Sequence, residues 1–216
     1  MKTIYFVRHG RTLFNQLWKV QGISDTPLTD IGEQKAAELG ALFKSQDISF
    51  DAAYTSDLGR TRRTSRLILD HSLNPELVPI ETNNLREVSF GKFEGDSNDL
   101  MWGAVSDALG NSELRGDSPD EIKINSLESL KELDTTGLAE SYDDVKGRIR
   151  AILSVLAHSE EETILAVSHG LYISCLIYML SDEKIHVSSI ENTSVTKIVF
   201  ENGVFKIAYI GRTENL

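Results

Sequence analysis

The run Ile4-Tyr5-Phe6-Val7-Arg8-His9-Gly10-Arg11-Thr12 and its echo Thr163-Ile164-Leu165-Ala166-Val167-Ser168-His169-Gly170 decide how this chain is read. Each opens on a short, largely apolar stretch of the kind that forms a buried strand. Each strand ends in a histidine followed by a glycine, and the two histidines stand about 160 positions apart in sequence. In a parallel sheet the carboxyl ends of strands are where ligands gather, because loops converge there and helix amino termini point inward. Two histidines at two such ends mark that edge as the functional one.

The pattern around these runs alternates helix and strand. Residues 11 to 28 read as loop with a short helical turn. A helix follows, capped by Thr29 or Asp30; Asp30 with Glu33 has capping-box spacing, and Ala36, Leu39, Leu42 and Phe43 give it an apolar face. A second strand is expected over 51 to 55. A helix capped by Ser56 or Asp57 then runs to about 71, and a third strand is expected over Leu77 to Ile80. Val145, Ile149, Ile152, Leu153 and Leu156 stripe a helix over 142 to 158, and another helix follows Gly170. Two β runs joined by Asn202-Gly203 form a hairpin signal near the carboxyl end. The architecture expected is a three-layer α/β/α sandwich with a mostly parallel central sheet and a C-terminal antiparallel hairpin. Residues 1 to 216 form one domain on this reading. Residues 88 to 140, richer in Gly, Ser, Asp and Asn, read as an inserted cap-like segment above the sheet.

Composition narrows the function. Asp and Glu number 33 against 22 Lys and Arg, a formal charge of −11. Such a surface repels nucleic acid and anionic membrane, so neither is expected as a partner. One cysteine, Cys175, excludes an intramolecular disulfide and reads as a buried thiol. No signal-like or membrane-spanning run occurs, so the expected location is cytoplasmic.

The chemistry must come from the histidines and the arginines near them. A neutral imidazole is a good nucleophile near pH 7 and forms a hydrolysable phosphoramidate. Arginines match phosphate oxygens with forked hydrogen bonds. Arg8 adjoins His9. Arg60 falls in the first turn of a helix, where the dipole disfavours a cation unless an anion is near. A carboxylic acid is needed to protonate the leaving oxygen, and Glu87, after the third strand, is the candidate. Arg62 and Arg66 fit either a solvated helix face or the site. His71, His158 and His186 form no ligand-like spacing with His9 or His169, and Arg8 repels a cation, so no metal site is assigned. On these residues alone, phosphate-ester chemistry ranks modestly above an anion-binding module.

Taken together, the motifs resemble the histidine phosphatase superfamily, also called the phosphoglycerate mutase-like family, over nearly the whole chain. Arg8-His9-Gly10, Thr12 and Asn15 match its opening signature. Gln21-Gly22, Asp25, Pro27-Leu28-Thr29, Gly32 and Gln34 match the stretch that follows. Ser56, Leu58, Arg60, Thr64, Glu87, Phe90-Gly91, Phe93-Glu94-Gly95, Ser168-His169-Gly170 and Asn192 match the later motifs. The resemblance implies that His9 is the nucleophile and that Arg8, Arg60 and His169 form the phosphate pocket. It implies Glu87 as proton donor and then base, Asn15 as a phosphate contact, Thr12 as a weaker structural or phosphate contact, and Gln21 and Asn192 as substrate-side or supporting groups. No cofactor is implied. Arg63 stands where members commonly carry glutamine, and it reads as an outward salt bridge, with a second substrate anion as the alternative. Cations in the insert are sparse, with Arg115, Lys123 and Lys131 among acids, so a second strongly bound phosphate is not expected. The phosphatase branch is therefore favoured, acting on a small-molecule phosphomonoester such as a sugar phosphate, as monomer or homodimer. A cofactor-dependent phosphoglycerate mutase and a non-catalytic phospho-ligand binder are the alternatives.

Overall fold

The computed structural model describes residues 1–110 and 114–216; residues 111–113 of the inserted segment lie outside the described residues. In chain order the elements are β1 (Lys2–Arg8), α1 (Leu13–Gln16), α2 (Asp30–Ser45), β2 (Ala52–Thr55), α3 (Gly59–His71), β3 (Ile80–Glu81), α4 (Asn98–Leu109), α5 (Asp120–Asn125), α6 (Leu127–Leu133), α7 (Tyr142–His158), β4 (Thr163–Ser168), α8 (Gly170–Leu180), β5 (Val195–Glu201) and β6 (Val204–Arg212). The strands form one sheet in the order β3-β2-β4-β1-β5-β6. Pairings among β3, β2, β4 and β1 are parallel, and β5 and β6 are added antiparallel. The α/β fold with its C-terminal hairpin is thus as read from the sequence. At the hairpin turn Asn202 and Gly203 both take positive φ, 53° and 80°, the geometry that a tight Asn-Gly turn demands.

Strand alternation divides the interior into two cores. Ile4, Phe6, Tyr54, Ile164, Ala166 and Ile198 face one side with α7 and α8. Tyr5, Val7, Ala53, Leu165, Val167 and Val195 face the other, against Phe43 of α2 and Ile68 and Leu69 of α3. Both faces of the central strands are covered, which is why these runs are apolar throughout rather than alternating. The insert contributes Phe90, Phe93, Met101, Trp102, Val105, Ile124, Leu127 and Leu130 to the first core. Its apolar residues look scattered in sequence because three short helices each supply only a few.

Several boundaries differ from the sequence reading. Thr29, not Asp30, caps α2, its hydroxyl accepting from Gly32 N–H at 3.1 Å. Neither Ser56 nor Asp57 caps α3. The Asp25 carboxylate does so from a distant loop, taking Gly59 N–H at 2.7 Å and Arg60 N–H at 3.4 Å. The third strand is only Ile80–Glu81, at the exposed sheet edge, so little burial enforces a longer run. For α7 the sequence bounds hold, and Ser141 with Asp144 forms a capping box at its start. Among the described residues no helix is long and apolar enough to cross a membrane.

Candidate active site

Parallel pairing of β1 with β4 sets Arg8 opposite Ser168. The next residue of each strand is a histidine, so a gap of 160 positions closes to a ring-centroid separation of 5.2 Å between His9 and His169. His9 N–H donates to Ser168 O at 3.0 Å and locks the two strand ends together. The His9 Nδ1 lies 2.8 Å from the Gly10 carbonyl, which only accepts. Nδ1 therefore carries the proton, and the lone pair is on Nε2. Asn192 holds His9 from behind, its Nδ2 donating to His9 O at 2.9 Å and to Asn15 Oδ1 at 3.3 Å. Gly170 follows His169 because space is short: a Cβ there would lie 3.1 Å from Arg8 Nε.

Both histidines are almost wholly buried, 3% and 0% exposed. Burial holds each well below the ordinary value of 6.5, and the Arg60 guanidinium is the next cause in both. Both imidazoles are therefore neutral at neutral pH, which suits a nucleophile.

Two guanidiniums enter from different elements. Arg8 Nη1 donates to Ile190 O at 2.5 Å, leaving Nε buried without a partner. Arg60 is fully buried; its Nη1 meets Ser24 O at 2.8 Å and Asp25 Oδ1 at 2.9 Å, and its Nη2 meets Gly22 O at 2.7 Å. Its Nε is also buried and unpartnered. Asp25 thus offsets the unfavourable place of a cation at the α3 amino terminus, the office the sequence reading gave to a bound anion. Among the described residues, Gln21 Nε2 and both His169 nitrogens complete the set of buried side-chain nitrogens without partners. Buried polar groups are nearly always paired, and a neutral His169 carries a single N–H, so these nitrogens hold at most four donors in reserve, a set suited to an oxyanion.

Glu87 is buried too. Its carboxylate accepts from Val88 N–H at 3.0 Å, Leu171 N–H at 3.2 Å and Tyr172 N–H at 2.8 Å, the last two at the start of α8. Burial raises its pKa; the Val88 amide, Arg60, the Tyr172 amide and Arg8 oppose that rise without cancelling it. Arg148 of α7 steadies this segment through Arg86 O at 2.9 Å, Glu87 O at 3.2 Å and Glu140 at 2.7 Å.

A cavity of about 270 Å³ opens over these groups, lined by Arg8, His9, Asn15, Gln21, Glu87 and Asn192 among others. Arg60 and His169 are not part of its lining. A larger hollow of about 890 Å³ shares Arg8, Arg11, Ser189 and Asn192 with it, but neither His9 nor Glu87 borders that hollow, so the smaller cavity is the candidate site. Thr12 points away into structure: its hydroxyl caps α1 and donates to Gln21 Oε1 at 2.7 Å. Asn15 Oδ1 is used by Thr12 N–H at 3.1 Å, which leaves its amide nitrogen as the free donor.

The sequence reading missed several groups. Arg11, Trp18, Lys19, Asp120 and Lys123 all line the cavity. Lys123 corrects the view of the insert as cation-poor at the site, although Lys131 is paired with Asp144 at 2.6 Å. The i, i+3 spacing of Asp120 and Lys123 was legible, but α5 is too short for periodicity to show which way it faces. Glu94 and Asp99 of the insert do not line the cavity; Glu94 is bound to backbone amides and Asp99 accepts the Trp18 indole N–H at 3.3 Å. Arg62 pairs with Glu81 and Arg66 with Asp70. Arg63 forms an outward two-pronged bridge to Glu33 at 2.7 and 3.0 Å. Among the described residues no group of three or more His, Cys, Asp and Glu is placed to hold a metal ion.

The chain matches the histidine phosphatase superfamily (branch 1) over residues 4–213. It belongs to that superfamily. Among curated proteins it is 28% identical over 221 residues to the broad-specificity phosphatase YOR283W of Saccharomyces cerevisiae, covering 99% of this chain and 86% of the relative. Among solved structures, a phosphoglycerate mutase from Bacillus anthracis str. Sterne superposes with a TM-score of 0.88 at 34% identity, covering 98% and 93% of the two chains. A phosphoserine phosphatase from Entamoeba histolytica in complex with 3-phosphoglyceric acid superposes at 0.72 with 25% identity, covering 98% of each. Superfamily membership and these phosphatase-named relatives support an enzyme acting on phosphorylated small molecules.

Proposed function

We propose that this histidine phosphatase superfamily member hydrolyses a small phosphorylated metabolite, a sugar phosphate or similar monoester, through a phosphohistidine on His9. The observation that carries the reading is the set of buried donors without partners on Arg8, Arg60, Gln21 and His169, together with the neutral imidazole of His9 beside His169. The His9 Nε2 lone pair attacks phosphorus, and the P–O bond to the leaving alcohol breaks. Arg8, Arg60 and His169 stabilise the transferring group as its charge redistributes. Protonated Glu87 gives its proton to the leaving oxygen and, as carboxylate, takes one from the water that then cleaves the N–P bond. Asn15 and Gln21 supply amide donors to the phosphate oxygens, and Asn192 holds His9. No metal or cofactor has a part in this sequence. Residues 88 to 140 act as a cap that selects substrates, through Phe90, Trp102 and Lys123 at the cavity.

One observation favours phosphoglycerate mutase activity as a second reading: Arg11, Lys19 and Lys123 line the cavity and suit a second anionic group. Phosphorus NMR of 3-phosphoglycerate with bisphosphoglycerate primer separates the two. Phosphate release is expected; faster exchange of the 2- and 3-isomers makes the chain a mutase. The central test is His9→Ala, with acid-quench labelling of the wild type by a phosphomonoester. An acid-labile, base-stable phosphoryl group is expected on wild type, with turnover lost in the variant and unaffected by chelator. Turnover by the variant, or its complete loss with chelator, overturns the mechanism, and binding without any turnover reduces the chain to a phospho-ligand binder.

A further inference from the structure

Glu94 has no place in the cavity, yet its carboxylate is among the most heavily used acceptors in the protein. Oε2 accepts from Gly22 N–H at 3.0 Å and Ser24 N–H at 2.9 Å; Oε1 accepts from Ile23 N–H at 3.0 Å and Phe90 N–H at 3.0 Å. Among the described residues it has no cationic partner within ion-pair distance; amides hold it directly, while Arg60 feels its charge through space. Charge-assisted bonds of this kind are the strong ones, and four on one group fix a loop rigidly.

Two of the same three loop residues face the other way with their carbonyls. Gly22 O and Ser24 O accept the Arg60 Nη2 and Nη1 at 2.7 and 2.8 Å. Amides toward Glu94 and carbonyls toward Arg60 make residues 22–24 a bridge between one carboxylate and one guanidinium. The bridge is tight: a Cβ on Gly22 would lie 2.3 Å from Glu94 Oε1 and 2.2 Å from Val88 O, so only glycine fits. Both terminal nitrogens of Arg60 are tied to this loop and Asp25. The direction of its unpartnered Nε is therefore set by the loop and not by packing alone.

We propose that Glu94 is a positioning residue that acts through Arg60, holding the carbonyls of Gly22 and Ser24 and thereby aiming the buried guanidinium at the transferring phosphoryl group. The proposal rests on the phosphatase reading above. Phosphoryl transfer depends on pre-set donors, and a donor displaced by a fraction of an ångström loses much of its effect. Glu94→Gln keeps the shape of the side chain but turns an NH2 toward two amide donors, breaking half of the array.

The test is a double-mutant cycle read by inhibition with orthovanadate and by kcat/KM for p-nitrophenyl phosphate. Glu94→Gln is expected to weaken vanadate inhibition and lower kcat/KM by ~10-fold or more, to cost less than ~2-fold further in an Arg60→Ala background, and to add in full to Asn15→Ala. Glu94→Asp, which shortens the reach, serves as the second variant, and melting curves establish that each protein is folded at the assay temperature. An equal Glu94→Gln loss with and without Arg60 overturns the proposal. So does an unchanged vanadate constant beside a lowered melting temperature, or failure of both Glu94 variants to fold, since each makes Glu94 a support for the fold only. Wild-type protein that neither hydrolyses the ester nor binds vanadate defeats the phosphatase reading itself, before any variant is compared.

Discussion

Acid should destabilise this protein through the very histidines that make the site. His9 and His169 are buried and held well below 6.5 by burial first and Arg60 second. In the unfolded chain each returns to about 6.5. Between the lowered folded value and 6.5 the unfolded chain binds more protons, so stability rises with pH and is lost as pH falls. For a histidine that stays neutral in the fold, the loss relative to high pH is RT ln(1 + 10^(6.5−pH)). That is negligible at pH 7.5 and between about 1 and 2 kcal/mol at pH 5.5, or about 3 kcal/mol for the pair. Glu87 works in the opposite sense: its raised pKa lets the folded state take a proton before the unfolded one, which returns some stability as pH falls toward 4.5. A difference between proteins removes that complication. The perturbation is His169→Gln, a side chain neutral at every pH. Urea unfolding at pH 7.5 and 5.5, in buffers without phosphate so that ligand binding adds nothing, gives the drop for each protein. The variant's drop is expected to be smaller than the wild type's by roughly 1 kcal/mol. Equal drops would refute the reasoning, because His169 would then titrate alike in both states.

Glu87→Gln removes the proposed proton donor and should slow the phosphorylation step of alkyl phosphates by ~10² to 10⁴ while leaving that step with p-nitrophenyl phosphate far less affected; equal losses in rapid-quench measurements would take Glu87 out of the acid role. Trp102→Ala, at a residue 2% exposed that still borders the cavity, should cost ~3–5 kcal/mol in urea unfolding and also reorder kcat/KM among substrates; an unchanged ranking makes it scaffold alone. Arg63→Gln breaks only the exposed bridge to Glu33, so kcat/KM should stay within ~2-fold for every substrate; a tenfold loss confined to multiply anionic substrates would bring Arg63 into the site.

What the sequence made legible is what local chemistry determines. Two apolar runs ending in His-Gly announce two buried parallel strands, and the register of β1 against β4 brings the rings together without any further information. Asn202-Gly203 announces its hairpin for the same reason. The misses share the opposite character. The cap of α3 comes from Asp25, 34 positions before the amide it binds. The grip on Arg60 comes from the carbonyls of Gly22 and Ser24, and backbone acceptors leave no mark in residue type. Lys123 is one lysine in an acidic, weakly periodic insert, and only the packing of α5 against α8 and Trp102 turns it toward the cavity. Local propensity is written in neighbouring residues; contacts made after the sheet closes are not.

The net charge of −11 and a site meant for a phosphate dianion are reconciled by where the acids are spent. Surface charges beyond roughly 10 Å are largely screened at physiological salt, so the bulk of the excess does not reach a buried pocket. Of the acids near the site, Asp120 is met by Lys123 and the Ser174 hydroxyl, while two others are met by backbone amides. Glu94 takes four and Glu87 three, and a carboxylate so held is countered by dipoles that carry no net charge. Arg60 has one carboxylate partner, Asp25, and otherwise only carbonyls; Arg8 has a carbonyl alone. Were Glu94 paired with Arg60 directly, the guanidinium would be neutralised and its donors consumed. Routed through the residues 22–24 loop, the acid leaves Arg60 Nε without a partner.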